Sequence, residues 1–221
     1  MSKEKSARVA AKKVKDKWKT KIWYHILAND SFGKKEIGSS PADSPEEMIG
    51  RISEVALSDL TGDFKQSHVK LMFRTVKVEG EKAFTEFEGH EVSHDYVRRM
   101  IRRRKTRIDA VVDVTTSDNY HLRVKTLLVV DRKIISAIET KLRNLVNEFL
   151  KTKAASLPFD QLVVYIFSPQ INNDIFEQIK TTYPTRKIEI RKTEILKNQK
   201  KREESHPVEN VEEELIDAGV A

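Results

Sequence analysis

The 221 residues contain no cysteine. That absence removes disulfides, thiolate metal sites and cysteine nucleophiles together, and it leaves the redox compartment open, a reducing cytosol included. Long apolar runs are missing as well. The longest, Leu127–Val130 and Leu162–Phe167, fall far short of the ~20 residues that a helical membrane span needs. The charged N-terminus has no apolar stretch of the kind a secretory signal carries, so a soluble, cytoplasmic protein with no membrane partner is expected. Asn29-Asp30-Ser31 matches a glycosylation sequon, which means nothing in a chain not expected to be secreted. Glycine is scarce at seven residues, and none of them form G-x-G-x-x-G. Gly33-Lys34-Lys35 lacks both the first glycine and the Ser/Thr of a phosphate loop. Aromatics make up only 7%, and there is no RNP aromatic motif, no GXXG clamp and no paired set of zinc ligands.

Charge is what the sequence has in quantity. Charged residues make up 34% against 38% hydrophobic, a balance that suits a protein with much wetted or partner-facing surface. The net charge of +7 is unevenly spread. Residues 1–21 hold nine Lys or Arg against Glu4 and Asp16, whereas residues 203–221 hold seven acids and no Lys or Arg. A basic body therefore carries a basic arm and an acidic tail. Such an arm repels itself and has little to bury, so it is expected to be disordered alone and to seek polyanions, whose counterions it releases. Lys12, Lys13, Lys15, Lys17, Lys19 and Lys21 would lie on every side of any helix, and Val14 with Trp18 makes too thin an apolar stripe for a membrane surface.

Along the chain, Ile22–Leu27 reads as a strand and Asn29–Pro45 as a loop. Ser44, Pro45 and Glu47 form a capping box opening a short helix that carries Met48, Ile49 and Ile52. Residues 54–60 resume strand character. Val69–Val78 and Lys82–Glu88 form a hairpin bent at Glu79-Gly80-Glu81, with a phase slip near Arg74 that predicts a bulge. Ser93–Arg104 is helical, and Ile108–Thr115 and Tyr120–Val130 are strands joined at Ser117-Asp118-Asn119. Beyond Asp131, Ile134, Ile138, Leu142, Leu145 and Phe149 form a helical stripe. Pro158 breaks the chain, Leu162–Phe167 reads as a buried strand, Asn173–Thr182 as a helix, and Ile188, Ile190 and Ile195 mark a last strand. The fold class expected is α+β. A β-rich, barrel-like and mostly antiparallel lobe (22–130) is followed by a small α/β lobe (131–196), with the arm at 1–21 and a flexible acidic tail at 197–221.

Two constellations suggest chemistry. His90-Glu91-Val92-Ser93-His94 satisfies the H-E-x-x-H pattern of zinc proteases, which needs both histidines on one helical face and a third ligand. Here Gly89 ends a strand and Ser93 or Asp95 caps a helix, so the motif straddles a junction. No third ligand follows a pattern, and neither metal nor other cofactor is expected. The second is Val97–Arg107, VRRMIRRRKTR. On a helix Tyr96, Val97, Met100 and Ile101 would cover about 140° of one face, with Arg98, Arg99, Arg102 and Lys105 opposite. Together with Arg103 and Arg107 these cations suit RNA phosphates, through backbone charge and RNA shape rather than base reading. Arg104 projects onto the apolar arc, where the helix would fray or the side-chain stem snorkel.

GRISEVALSDL (50–60), the hairpin ending FTEFEG, and above all RIDAVVDVTTSDNYHLRV (107–124) resemble the small-subunit ribosomal protein family S-three-a-e, also called e-S-one, of archaea and eukaryotes. KIWYHILA after the arm and SPQINNDIFEQIKTTYPTRKIEIRK (168–192) are similar to the family's two ends, so the resemblance runs in one order over roughly residues 15–197. It implies a non-enzymatic constituent of the small subunit on its platform near the messenger exit. Its partners there would be ribosomal RNA, neighbouring small-subunit proteins and messenger RNA near the exit, and no homo-oligomer is expected. The family pattern does not require the His90/His94 pair, and the tail here is short and acidic. Charge alone would equally permit a free-standing RNA-binding or chaperone protein.

Overall fold

The computed structural model describes residues 18, 19 and 21–198. Among them the chain forms β1 (Ile22–Leu27), β2 (Glu36–Ala42), β3 (Ile52–Ala56), α1 (Leu57–Thr61), β4 (Val69–Glu79) and β5 (Lys82–Val92). There follow α2 (His94–Met100), β6 (Thr106–Thr115), β7 (Tyr120–Val130), α3 (Ser136–Ser156), α4 (Phe159–Phe167), α5 (Pro169–Lys180) and β8 (Lys187–Asn198).

β5 organises the sheet. β4 pairs with it along its whole length through a tight reversal at Gly80, whose φ of 60° a glycine adopts without strain. The other edge of β5 is shared. His25–Leu27 of β1 lie parallel to Lys82–Phe84, while Gly89–Glu91 pair antiparallel with Lys192–Glu194 of β8. One branch continues to β2 and the other through β7 to β6, so every pairing but β1/β5 is antiparallel. The mostly antiparallel character expected from the sequence is present, but the barrel does not close. The two branches diverge from a single edge of β5, and β2, β3 and β6 each have one partner, which makes the sheet open. The slip near Arg74 is real, with register shifts at Met72/Phe73 and at Thr75/Lys77 on either side of it.

Alternation does the sorting. Ile108, Ala110, Val112 and Val114 of β6 and Leu122, Val124, Leu128 and Val130 of β7 face inward. They meet Leu142, Val146, Leu150 and Ala154 of α3 and Ile171, Ile175 and Ile179 of α5, in one cluster that also holds Leu71, Phe73 and Phe87. A second, smaller cluster of Tyr24, Ile26, Ala42, Met48 and Ala83 lies under β1 and β2.

Several elements differ from the sequence reading. Leu162–Phe167 lies in helix α4, not a strand. Phe159, Leu162, Val163 and Ile166 are buried at helical spacing, whereas Val164 is 53% exposed. An amide beyond local reach helps start the helix, for Phe159 N–H donates to Asp118 Oδ2 at 3.0 Å. Residues expected as loop contain β2, a strand of weak propensity (EIGSSPA) that forms because β1 offers it a ladder at the sheet edge, where Pro41 is tolerated. Residues 54–60 divide between β3 and the short helix α1. The turn at Pro45–Met48 is a single 3-10 turn in which Ser44 makes no side-chain cap, and the Glu47 carboxylate accepts instead from Asp43 N–H at 3.3 Å. β5 runs on to Val92, so Gly89 lies inside the strand rather than at its end.

Candidate nucleic-acid interface

Sheet register brings the arginines together. Thr106, the first residue of β6, pairs with Val130, the last of β7, and Val129 pairs with Lys187, the first of β8. The turn before β6, the turn after β7 and the lead into β8 therefore meet at one end of the sheet. Thr106 Oγ1 donates to the Arg132 carbonyl, and Arg186 N–H donates to the Val129 carbonyl, each at 2.9 Å. Arg102, Arg103 and Arg104 thus share a corner with Arg132, Lys133 and Arg186. The last three carry no local signal in the sequence, because their proximity exists only once β6, β7 and β8 are in register.

The helix expected over Ser93–Arg104 stops at Met100. Its continuation would stack Arg98 on Arg102 and Arg99 on Arg103 at i,i+4, a repulsive arrangement. Instead Ile101 is extended, Lys105 N–H donates to the Arg102 carbonyl at 3.3 Å, and Arg104 takes a left-handed φ of 68°. That conformation costs an arginine about 1–2 kcal/mol. Arg102 therefore does not share a helical face with Arg98 and Arg99. Those two occupy the last turn of α2, where the helix dipole favours cations, and Arg102, Arg103 and Arg104 project from the turn.

The cations differ in what they already hold. The Lys105 side chain is 13% exposed, with Nζ 3.0 Å from Asp131, and Arg186 lies 3.2 Å from the same carboxylate. Arg107 grips Asp109 with two bonds of 2.8 and 3.0 Å. Arg98, Arg99, Arg102, Arg103, Arg104, Arg132 and Lys133 form no ion pair among the described residues, and all are exposed. The outer sheet face is the opposite case, a ladder of satisfied pairs. Arg123 holds Asp113 at 2.7 Å, Lys125 and Lys192 hold Glu194 at 2.9 and 3.0 Å, and Lys192 also reaches Glu91 at 3.2 Å. Hydrogen bonding from Arg123 keeps the Asp113 carboxyl below its ordinary pKa, and Lys125 does the same for Glu194. A polyanion gains little from a face already neutralised, and much from the arginine corner.

α2 is anchored by Tyr96. Its hydroxyl donates to Glu189 Oε1 at 3.2 Å and accepts from the Lys187 ammonium, while the His68 ring stacks on it at 3.6 Å. Burial raises the Tyr96 phenol pKa, with the Lys187 hydrogen bond working the other way. Burial opposes the charged form of Lys187, but Tyr96 and Glu189 more than offset it and its pKa is raised.

The H-E-x-x-H residues do straddle the junction. His90 is buried in β5, with Nε2 3.1 Å from the Ile190 carbonyl and Nδ1 2.6 Å from Thr193 Oγ1. A carbonyl only accepts, so Nε2 carries the proton and Nδ1 accepts from the threonine. Both nitrogens are committed, and His94 points into solvent from the start of α2. The pair does not converge on a common ligand.

Of the arm, Lys12, Lys13, Lys15 and Lys17 lie outside the described residues. Lys19 is exposed, and Lys21 Nζ sits 4.5 Å over the Trp18 ring. These last two precede β1, and so lie at the opposite end of β5 from the arginine corner. Along the strand direction that is a separation of more than about 30 Å at ~3.3 Å per residue.

The sequence pattern of the Ribosomal S3Ae family matches residues 9–199. The chain is 42% identical over 183 residues to the small ribosomal subunit protein eS1 of Desulfurococcus amylolyticus, covering 83% of this chain and 86% of that protein. It is 42% identical over 184 residues to the eS1 of Sulfurisphaera tokodaii, covering 83% and 95%. To the eS1 of Saccharolobus islandicus it is 45% identical over 184 residues, covering 83% and 88%.

Proposed function

Because the chain belongs to the Ribosomal S3Ae family, we propose that it is a non-enzymatic structural constituent of the small ribosomal subunit, binding ribosomal RNA through the arginine corner. It works in the cytoplasm, on the subunit platform near the messenger exit, against neighbouring ribosomal proteins. The observation that carries the RNA contact is the turn Arg102–Arg104. Three consecutive guanidinium groups without an ion-pair partner among the described residues are held out by a strained backbone, beside Arg132, Lys133 and Arg186. Guanidinium forks suit phosphate oxygens, and these three are not already taken up by carboxylates among the described residues. Lys105 belongs to the same surface as a positioning group, since Asp131 ties it to the turn after β7, and Arg107 lies just beyond it in β6, paired within that strand to Asp109. Lys12, Lys13, Lys15, Lys17, Lys19 and Lys21 add a second, longer-range attraction.

Replacing Arg102, Arg103 and Arg104 together with Gln tests the contact. Exposed unpaired charges contribute little to stability, so the fold should remain. The dependence of log affinity for ribosomal RNA on log salt should flatten by about 0.7–0.9 per lost contact, roughly two in all. An unchanged slope would make the corner a merely solvated surface. Sedimentation of a lysate tests the assembly: the protein should travel with small subunits, and a pool mostly free of them would favour a free-standing RNA-binding or chaperone role. Crosslinking within assembled subunits tests the platform position.

A further inference from the structure

Trp18 and Trp23 are the two tryptophans of the chain, and they are 68% and 56% exposed. The exposure of Trp23 follows from how β1 is built. Tyr24 and Ile26 turn inward to the small cluster with Ala42, Met48 and Ala83, so Trp23 and His25 must face outward. Directly across from them on β2 stand Pro41 and Ser39. The stretch Gly38–Pro41 offers only small side chains, none tall enough to cover an indole. On the other edge, β1 meets β5 only at His25–Leu27, so on that side no strand among the described residues runs beside Trp23.

Cations precede it in the sequence. Lys21 Nζ lies 4.5 Å over the Trp18 ring, Lys19 is exposed, and residues 1–21 together carry nine basic side chains against two acids. Two carboxylates lie along this edge: Glu36, opposite Leu27, is held by His25 Nδ1 at 2.5 Å, and Asp43 follows Ala42, which stands opposite Ile22. An open indole face that follows a lysine-rich stretch of chain matches a base on its sugar-phosphate backbone, since the ring can stack while lysines neutralise the phosphates. A protein partner fits less well, because lysine is depleted in the cores of protein interfaces.

We propose that Trp23, with Trp18 and Lys21 beside it in the chain, is a stacking site for an unpaired nucleobase of single-stranded RNA. The proposal rests on the RNA-binding reading but uses the end of the sheet remote from the arginine corner. It also qualifies the expectation of recognition by charge and shape alone, since here a base, and not only its backbone, is gripped. Stacking of this kind tolerates any base, so it holds a strand without choosing its sequence.

The full-length chain carrying Trp18→Phe has Trp23 as its one indole, so its fluorescence reports that residue in an otherwise native surface. Titration with a short oligoadenylate should quench it, and an abasic oligonucleotide of the same length and charge should not. Trp23→Ala should weaken oligoadenylate binding about tenfold, within the range alanine substitution of stacking residues gives, with its salt slope unchanged because no phosphate contact is lost. The triple Gln variant at 102–104 should keep the quench. Equal quenching by the abasic strand, or undiminished affinity of Trp23→Ala, would overturn the stacking site. So would no quenching at all, which would leave the surface to a protein neighbour. If those failures came with a salt slope that still responds to the arginines, the RNA-binding reading would stand without this site; loss of both would remove it too.

Discussion

At the junction of β5 and β8 two adjacent residues answer to one constraint, the close approach of the two backbones. A Cβ on Gly89 would lie 2.3 Å from the Thr193 carbonyl oxygen, so only glycine lets β8 come this near. His90 then has nowhere to find water, and its ring is satisfied by Ile190 and Thr193 of the same strand. Burial lowers its pKa to about 4, the Ile190 carbonyl and the Glu91 charge only partly opposing. The sign follows from linkage. The unfolded chain binds a proton at His90 near pH 6.5 and the folded chain only near 4, so stability is fully present above 6.5 and declines as pH falls through that window. Between pH 7 and pH 5 the loss from this residue should be about 2 kcal/mol. His68, whose pKa burial also lowers, adds a loss of the same sign. Urea unfolding of the wild type and of His90→Gln at both pH values isolates the His90 share. The variant should be less stable at pH 7 but lose less on acidification, and an equal loss in both proteins would mean that His90 titrates normally. H-E-x-x-H was legible as a pattern, and its placement across a strand end was legible too. That both ring nitrogens are used up by residues a hundred positions away was not.

Among the elements, those whose alternation or stripe is long were readable from the sequence and those that depend on a neighbour were not. β6 and β7 each bury every second residue over at least four alternations, and they fall where the pattern puts them. α2 stops at Met100 although its periodicity runs on: Tyr96, Val97, Met100 and Ile101 do pack on the core, and the like charges a longer helix would stack at i,i+4 weaken its continuation. β2 has no apolar pattern to read and exists only as the partner of β1. α4 is the instructive case, for LVVYIF has no polar residue to reveal a period, and a buried strand and a buried helix look alike over six residues. The two conformations separate at Val163 and Val164. Val163 is buried and Val164 is half-exposed between apolar grooves lined by Ser31, Phe32, Leu60 and Tyr165. Val163→Asp should therefore destabilise by several kcal/mol, since a charge would be driven into the core. Val164→Asp should stay within about 0.5 kcal/mol of wild type, as surface changes do. Denaturation midpoints of the two variants decide it, and comparable losses at both positions would mean that the segment is buried on both sides.

For the whole molecule, the consequential fact is where β8 goes. The sequence changes character at Asp131, from alternating strands to amphipathic helices, and this led to two expected lobes, 22–130 and 131–196. Yet β8 comes from the second segment and lies between β7 and β5 of the first, closing the gap between the β4–β5 hairpin and the β6–β7 hairpin. The arginine corner exists for the same reason, since Arg186 reaches Asp131, the carboxylate that also holds Lys105 after the Arg102–Arg104 turn, only when β8 is in place. The aromatic core crosses the division as well: Phe87 of β5 meets Phe159 and Phe167 of α4 at 6.4 and 6.0 Å, and Phe32 meets Phe73 at 5.6 Å and Phe167 at 6.1 Å. Long-range strand pairing leaves no periodicity behind, which is why composition marks the segment boundary and says nothing of the shared sheet. Two segments that share a sheet and a core have no independent way to unfold. The full-length protein is expected to melt in one transition, with equal calorimetric and van't Hoff enthalpies and coincident curves from far-ultraviolet and near-ultraviolet circular dichroism. Phe87→Ala, which opens a cavity where both segments meet, should move that single transition as a whole and cost about 3–5 kcal/mol. If the variant instead split the melt into two steps, one of them unmoved, the lobes would be separate folding units and β8 a later addition to the sheet.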